Sequence, residues 1–123
     1  MNNESIAEMK MPLVPNGVVR NYTRMILDIA VRVFPKDGAQ TNGRGHDIGV
    51  GGMAVYVPLE LKLEERIAIS FQLPYSRIKL GLHAVVRNRN GFRYGLEFAA
   101  MTKAESDEIQ RVAAILELTG QTK

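Results

Sequence analysis

The feature that most constrains this chain is an alternation of apolar and polar side chains with a period of two, which begins near residue 26. It recurs in the stretches 27–33, 53–57, 67–73, 78–86 and 92–98. Because successive side chains of a β-strand point to opposite faces, each stretch is predicted to be a strand with one buried face and one exposed face. Strands of this kind favour an antiparallel sheet that is wetted on one side.

Turn residues support the same interpretation. Residues 35–38, Pro-Lys-Asp-Gly, are expected to join the first strand to a shorter one that runs from Asn42 toward Asp47. Asn90-Gly91 lies between the last two stretches, and both residues tolerate positive φ, so a tight hairpin is predicted there. Six strands that each have a polar side hide their edges most simply by closing into a small barrel.

After the strands the period changes to that of a helix. Thr102 and Glu105 match a capping box. Apolar residues follow at helical spacing before Gly120 (Ile109, Val112, Ala113 and Leu116). The predicted fold is therefore mainly β, a six-stranded antiparallel barrel with a C-terminal α-helix.

The expected domain organisation is simple. Residues 1–18 contain two prolines and no sustained periodicity, so we expect them to form a flexible N-terminal arm. Residues 19–119 are expected to form the barrel domain with its helix, and residues 120–123 a tail. A length of 123 residues suits one domain of ordinary size.

Composition excludes several classes of function. The chain has no cysteine, which removes disulfides, thiolate metal sites and cysteine nucleophiles. No apolar stretch approaches the roughly 20 residues of a membrane helix, and the N-terminus lacks a signal-peptide layout, so a cytoplasmic protein is expected. The net charge of +3 is a mild bias that suits a phosphate-bearing ligand without proving one.

The residues typical of catalysis are missing or badly placed. Residues 49–54 satisfy a dinucleotide-binding pattern, but a strand rather than the required helix follows the glycines. His46, Asp47 and His83 make a thin ligand set whose spacing fixes no metal. No nucleophile elbow is present. We therefore expect no enzymatic activity, no metal and no cofactor.

Arginines are the residues that stand out. They lie before the first strand, near the glycine-rich bend and around the predicted hairpin (Arg20, Arg24, Arg44, Arg87, Arg89 and Arg93). The planar fork of arginine can donate two hydrogen bonds at once to a phosphate or to the Hoogsteen edge of guanine. Spacing alone does not separate such a clamp from an ordinary solvated pair at the entrance of a strand.

Taken in order, these features resemble a known family. Arg20-Asn-Tyr-Thr-Arg24, the alternating strand, Asp47-Ile-Gly49-Val-Gly-Gly52 and Tyr94-Gly95-Leu-Glu-Phe98 before a terminal helix are similar to the PilZ domain, over residues 19–118. That family has the signatures Arg-x-x-x-Arg and Asp/Asn-x-Ser/Ala-x-x-Gly. The resemblance implies a six-stranded barrel that senses the bacterial second messenger cyclic diguanylate (cyclic di-GMP).

The resemblance also implies roles for individual residues. Arg20 and Arg24 would clamp guanine edges and phosphates, and Asp47 would accept hydrogen bonds from a guanine. Gly52 would permit the bend. Gly49 departs from the family because it stands where Ser or Ala is usual. A missing neutral hydrogen bond costs about 0.5–1.5 kcal/mol, so weaker binding is expected rather than none.

Four further residues are candidates for secondary ligand contacts. Asn21 lies between the two clamp arginines, and Arg44 lies near the bend. Arg87 falls about where relatives place a planar side chain, so it could stack on a base or simply be solvated. Val19 occupies a position where, in the family, an arginine favours a stacked ligand dimer.

Three functions follow from this resemblance and from the residues. The first is a non-enzymatic cyclic di-GMP receptor that relays the messenger to a partner protein, with motility and exopolysaccharide machinery among the family's partners. The second is a degenerate PilZ domain that acts as an interaction adaptor without nucleotide. The third, a single-stranded nucleic-acid binder, would need exposed aromatic platforms, whereas Phe71, Phe92, Tyr94 and Phe98 fall on the predicted core face.

The apolar side chain of Val19 leads to a prediction about stoichiometry. Because it offers no guanidinium fork to a second ligand, one cyclic di-GMP should bind per chain. Isothermal titration calorimetry measures this ratio directly, and two ligands per chain would contradict the prediction.

Overall fold

The computed structural model describes residues 24–119. Val19, Arg20 and Asn21, the predicted arm 1–18 and the tail 120–123 lie outside the described residues. The described part contains, in chain order, β1 (Ile29–Phe34), β2 (Thr41–His46), β3 (Gly52–Tyr56), β4 (Arg66–Gln72), β5 (Lys79–Asn90), β6 (Arg93–Ala99) and α1 (Lys103–Leu118).

The six strands form a closed antiparallel barrel in the order β1-β2-β3-β6-β5-β4. Pairing of β1 with β4, for example Val31 with Phe71, completes the circle. Closure satisfies the backbone groups that the outer strands of an open sheet would expose. The predicted fold class is confirmed.

The alternation in the sequence fills the interior of the barrel. The inward-facing side chains join one buried cluster with the apolar face of α1. Tyr94 is its largest fully buried member, and its hydroxyl donates to the Leu59 carbonyl at 2.6 Å and accepts from the Leu61 amide at 3.0 Å. A buried phenol is tolerated because its polar end is satisfied in this way.

Strand β2 has no inward-facing apolar side chains because side chains of β1 and β3 already occupy the interior beneath it. Gly45 faces inward, and an added Cβ would lie 2.4 Å from Met53 Cε and 2.7 Å from Val31 Cγ2. Side chains from β1 and β3 thus fill the space beneath β2. The short strand predicted from Asn42 toward Asp47 is present, displaced by one residue.

Two residues that the alternation assigns to the core are exposed. Ile78 and Phe92 are each 51% exposed. Ile78 precedes the first residue of β5, and Phe92 is in the turn between β5 and β6, so the alternation of the strands no longer governs either side chain. The expectation that Phe92 lies on the core face was therefore wrong.

The predicted hairpin is present, but its turn lies one residue later than expected. Asn90 pairs with Arg93, which leaves Gly91 and Phe92 as the two-residue loop. Of these, only Gly91 has positive φ, at 66°. Positive φ at the first loop position alone is the pattern of a type II′ turn, whose twist suits a hairpin.

Helix α1 is anchored by its cap and by the loop between β4 and β5. The capping box of Thr102 and Glu105 is present as predicted. Ser76 Oγ donates to Glu108 Oε2 at 2.5 Å, and Arg111 binds both Glu108 and the Tyr75 carbonyl. These contacts fix the helix against the barrel at a loop where Tyr75 adopts a φ of 61°.

Glu108 makes the stability of the fold depend on pH. Hydrogen bonds from Arg111 and Ser76 lower the pKa of Glu108 from 4.5 to about 2. Because the folded pKa is the lower one, this contribution to stability is present above pH 4.5 and is lost as the pH falls toward 2. Glu108→Gln should therefore lower the melting temperature at neutral pH. The difference from the unaltered chain should become smaller as the pH falls from 4.5 toward 2.

Thermal unfolding followed by circular dichroism at a series of pH values measures this difference. Glu117→Gln is a matched control, since Glu117 is an exposed carboxylate near the C-terminal end of the same helix, where the helix dipole disfavours negative charge. It should not lower the melting temperature. A Glu108→Gln deficit that stays constant from neutral pH to pH 2 would contradict the assigned role.

Candidate functional site

A short antiparallel bridge brings the residue before β1 beside the corner between β2 and β3. Met25 and Ile48 exchange backbone hydrogen bonds of 2.6 and 2.9 Å, and both side chains are fully buried. Their neighbours Arg24 and Asp47 consequently meet at the surface. Asp47 adopts a φ of 53°, in the left-handed region that Asp and Asn tolerate better than most residues.

Arg24 and Asp47 form a two-point contact. The Arg24 Nε lies 3.0 Å from Asp47 Oδ1, and Nη2 donates to the Asp47 backbone carbonyl at 2.5 Å. The two side chains are 48% and 36% exposed. Arg24 thus uses two of the five N–H donors of its guanidinium on Asp47, and no other described residue takes the remaining three.

The pair lies at the edge of a concave surface of about 370 Å³ on the outside of β3, β5 and β6. Its small central residues, Ala54 and Gly95, are directly paired across strands. Three arginines and two carboxylates line it (Arg24, Arg87, Arg93, Asp47 and Glu97). Its charged groups therefore leave one net positive charge beside a floor of small residues, an arrangement that suits an anionic ligand with a flat ring.

A β-bulge shapes the far side of this surface. Val86 pairs with Leu96 and Asn88 pairs with Gly95, so Arg87 is the extra residue on β5. The bulge lays the Asn88 amide over Gly95, where an added Cβ would lie 2.5 Å from Asn88 Oδ1. Bulges commonly redirect side chains in this way beside binding sites.

Arg87 lines the surface but is already held by carboxylates. Its Nε donates to Glu97 Oε1 at 2.6 Å, and Nη1 binds Glu64. The hydrogen bonds that Arg87 donates to Glu97 and then to Glu64 raise the pKa of Arg87 above its ordinary value. Its guanidinium is fixed in orientation, so it can present one planar face to a ligand without a large loss of side-chain entropy.

Arg93 and Tyr56 border the surface on the side of the hairpin. They are directly paired across β6 and β3, and the Arg93 Cζ lies 6.0 Å from the centre of the Tyr56 ring. His46 meets the same ring edge-on with a centroid distance of 5.1 Å. The tyrosine thus has two polar or charged neighbours, but its side chain is still 47% exposed, so part of its ring faces solvent.

Not every candidate residue lies on this surface. Arg24, Asp47, Gly52 and Arg87 line it. Gly49 is buried, and its N–H donates to the Gly52 carbonyl at 2.9 Å.

Arg44 lies outside this surface as well. It faces a separate groove, where its Nε contacts Asp28 Oδ1 at 2.9 Å. Arg20, Val19 and Asn21 lie outside the described residues, so their placement stays a prediction.

Asn88, Arg93 and Glu97 are the polar lining residues that sequence reasoning did not assign to the site. Arg93 was visible only as one of several arginines near the hairpin. Asn88 reaches the surface because of the bulge at Arg87, and no sequence signal marks that bulge. The register of β6 against β5 and β3 would have been needed to place these residues.

Other site types find little support in the described part of the chain. Within residues 24–119, no group of three or more histidine and acidic residues is arranged to hold a metal ion. None of the helices in that range is long and apolar enough to cross a membrane.

The comparison with protein families decides the family. The profile described as "PilZ domain" matches residues 19–114. The chain belongs to the PilZ domain family. The match covers the whole described barrel and most of α1, and it includes the segment with Arg20 and Arg24. No curated protein was similar enough in sequence to count as a match.

Solved structures of low sequence identity have the same fold as this PilZ domain. The inhibitor of motility MotI/DgrA of Bacillus subtilis has 19% identity and a TM-score of 0.66, over 90% of this chain and 56% of that one. The PilZ domain of YcgR from Escherichia coli, solved with c-di-GMP, has 19% identity and a TM-score of 0.65, over 82% and 93%.

The PilZ domain of CeSA from a cellulose-synthesizing bacterium has 24% identity and a TM-score of 0.59, over 76% and 97%. The chain therefore spans little more than half of MotI/DgrA but nearly all of the two isolated PilZ domains.

The structure gives Gly52 a role that does not depend on any ligand. A Cβ on Gly52 would lie 2.0 Å from the Leu96 carbonyl oxygen, a distance that no real contact allows. Gly52→Ala should therefore destabilise the fold by about 1–3 kcal/mol because β3 and β6 must separate. Urea unfolding followed by circular dichroism measures the change.

The neighbouring glycine provides the control. A Cβ on Gly51 would meet nothing within 4 Å, so Gly51→Ala should change the free energy of unfolding by less than about 0.5 kcal/mol. Equal stability of the two variants would remove the steric explanation for Gly52.

Proposed function

We propose that this protein is a non-enzymatic receptor for cyclic di-GMP. The observation that carries the proposal is the meeting of Arg24 and Asp47, 23 residues apart in sequence, at the edge of one concave surface. Membership of the PilZ family supports the ligand, as does the YcgR domain solved with c-di-GMP. Neither the family match nor the fold points to an enzyme.

The chemistry of the surface suits this ligand. Cyclic di-GMP combines two anionic phosphates with two flat guanines. Arg24 is proposed to bind a guanine edge or a phosphate with its free N–H donors, and Arg20 to do the same from the segment before it. Asp47 is proposed to accept hydrogen bonds from guanine N–H groups, which its acceptor-only carboxylate favours.

Secondary contacts fall into two groups. Arg87 is proposed to stack its guanidinium on a base, since Glu97 and Glu64 hold its plane in place. Gly49 and Gly52 are proposed to shape the corner that presents Asp47. We assign no direct contact to Arg44, because it faces a different groove.

Signal output is proposed to follow from contact of the ligand with the segment that carries Arg20 and Arg24. Ligand bound to both arginines would hold this segment against the barrel, and a partner protein would recognise the altered surface. Such a switch can be no stronger than the ligand's preference for the held arrangement.

A second candidate function is an interaction adaptor that has lost the nucleotide. Gly49, in the Ser/Ala position of the family signature, favours it. The two-point contact of Arg24 with Asp47 offers an alternative purpose for both residues, since it also fastens the start of β1 to the corner between β2 and β3.

Titration of cyclic di-GMP into the Arg24→Ala variant separates the two functions. Loss of one charge-assisted contact should weaken binding about ten- to hundredfold relative to the unaltered chain. Isothermal titration calorimetry gives both affinities. Absence of measurable binding to the unaltered chain would leave the adaptor as the function.

Two further variants make the result specific. Arg77→Ala removes an exposed arginine that does not line the surface, so its affinity should stay within about twofold of the unaltered chain. Asp47→Asn keeps a residue that tolerates positive φ and replaces an acceptor-only group by an amide, so it should weaken binding while the fold persists.

A further inference from the structure

A second concave surface lies on the barrel beside the proposed nucleotide site. It is a groove of about 650 Å³ on the outside of β1, β2 and β4, and it extends to Tyr56 on one side and Lys79 on the other. None of the residues that line this groove also lines the nucleotide surface. We call it the basic groove, and its polar and charged members are Arg32, Asn42, Arg44, Ser70, Gln72 and Lys79.

The strand register sets the spacing of its cations. Arg44 pairs with Ala30, and Gln72 pairs with Lys79. Ala30 and Gln72 lie one register step beyond the Val31–Phe71 pair, so these residues form one row across four strands. With about 4.8 Å between neighbouring strands, the backbones of Arg44 and Lys79 are about 14 Å apart along the sheet.

Arg32 adds a third positive charge in the next row, where it pairs with Asn42 on β2 and with Ser70 on β4. No carboxylate lines the groove. Arg32 and Lys79 form no ion pair with any residue of the described range, whereas Arg44 is held by Asp28. Two cations without a described partner therefore face a groove that has no negative side chain.

The concave surface formed by the loops at residues 35–39 and 59–66 provides a contrast. It is slightly larger, at about 700 Å³, but four acidic residues line it beside three basic ones (Asp37, Glu60, Glu64 and Glu65 with Lys36, Lys62 and Arg66). Its charges compensate one another locally. The basic groove is therefore distinguished by its charge rather than by its size.

We propose that the basic groove binds an acidic segment of a partner protein. In an extended chain, side chains four residues apart point the same way and lie about 13 Å apart, which matches the separation of Arg44 and Lys79. Tyr56 and Pro58 form an apolar rim at one end of the groove, where an apolar side chain of the segment would pack. This proposal does not depend on nucleotide binding.

Two other anions fit the groove less well. A single phosphate is smaller than the span of the three cations, so it would leave part of the groove unfilled. Single-stranded nucleic acid needs aromatic side chains on which bases stack. Tyr56 is the one aromatic side chain exposed at the groove among the described residues, and His46 and Arg93 already contact its ring. Charge complementarity and spacing thus favour a peptide.

A defined peptide tests the proposal. The probe is a fluorescein-labelled peptide of about ten residues, with two glutamates four positions apart and a leucine at one end. Fluorescence anisotropy at low salt should show saturable binding to the full chain. Arg32→Gln combined with Lys79→Gln should weaken it about three- to thirtyfold, the range that two exposed ion pairs supply.

Controls distinguish this groove from a general effect of charge. Lys62→Gln combined with Arg66→Gln removes the same charge from the other concave surface and should stay within about twofold of the unaltered chain. A peptide with adjacent glutamates should bind more weakly than the probe. Equal losses in the two double variants, or tighter binding of a thymidine oligonucleotide than of the probe, would overturn the proposal.

Nucleotide titration keeps this test independent of the proposed function. The Arg32→Gln, Lys79→Gln variant should bind cyclic di-GMP as the unaltered chain does, because neither residue lines the nucleotide surface. A loss of peptide binding with nucleotide binding unchanged would support the groove. Simultaneous loss of both, with the fold intact by circular dichroism, would contradict a separate site.

Discussion

Closure of the barrel is the constraint on which the rest of this structure depends. Once β1 pairs with β4, every strand has two neighbours and the direction of every side chain is fixed by its register. The bridge between Met25 and Ile48 then places the residue before β1 beside the corner that follows β2. Arg24 and Asp47 meet because two buried neighbours pair, and not because of their own attraction, which is modest at an exposed site.

A comparison within the molecule shows why the ion pair alone does not define the site. Arg44 donates from Nε to Asp28 Oδ1 at 2.9 Å and from Nη2 to the Asp28 backbone carbonyl at 3.1 Å. Arg24 contacts Asp47 through the same pair of atoms. The two pairs differ in what surrounds them. Beside Arg24 lie a floor of small residues and two further arginines, whereas Arg44 lies at the side of a groove with a different set of cations. The residues around each ion pair, which the strand order brings together, therefore distinguish the proposed nucleotide site from the Arg44–Asp28 pair.

Local pattern predicted the elements of this fold well, because alternation and capping are local properties of the chain. Six strands and the capping box of Thr102 belong to this group. The proximity of Arg24 and Asp47 was instead implied by the family resemblance, and it depends on the bridge between Met25 and Ile48, which are far apart in sequence. Ile78 and Phe92 were misassigned because a period of two does not indicate where a strand ends. The bulge at Arg87, and with it the position of Asn88, depends on the register between two strands, which no single-strand pattern contains.

The two proposed surfaces share a boundary, and this has a thermodynamic consequence. Tyr56 belongs to the rim of the basic groove, while Arg93, which packs against its ring, lines the nucleotide surface. A ligand that drew Arg93 toward itself would change the support of Tyr56. If nucleotide altered peptide affinity in this way, peptide would have to alter nucleotide affinity by the same factor. Arg93 and Tyr56 are also directly paired across β6 and β3, so both their side-chain contact and the backbone pairing of these strands link the two surfaces.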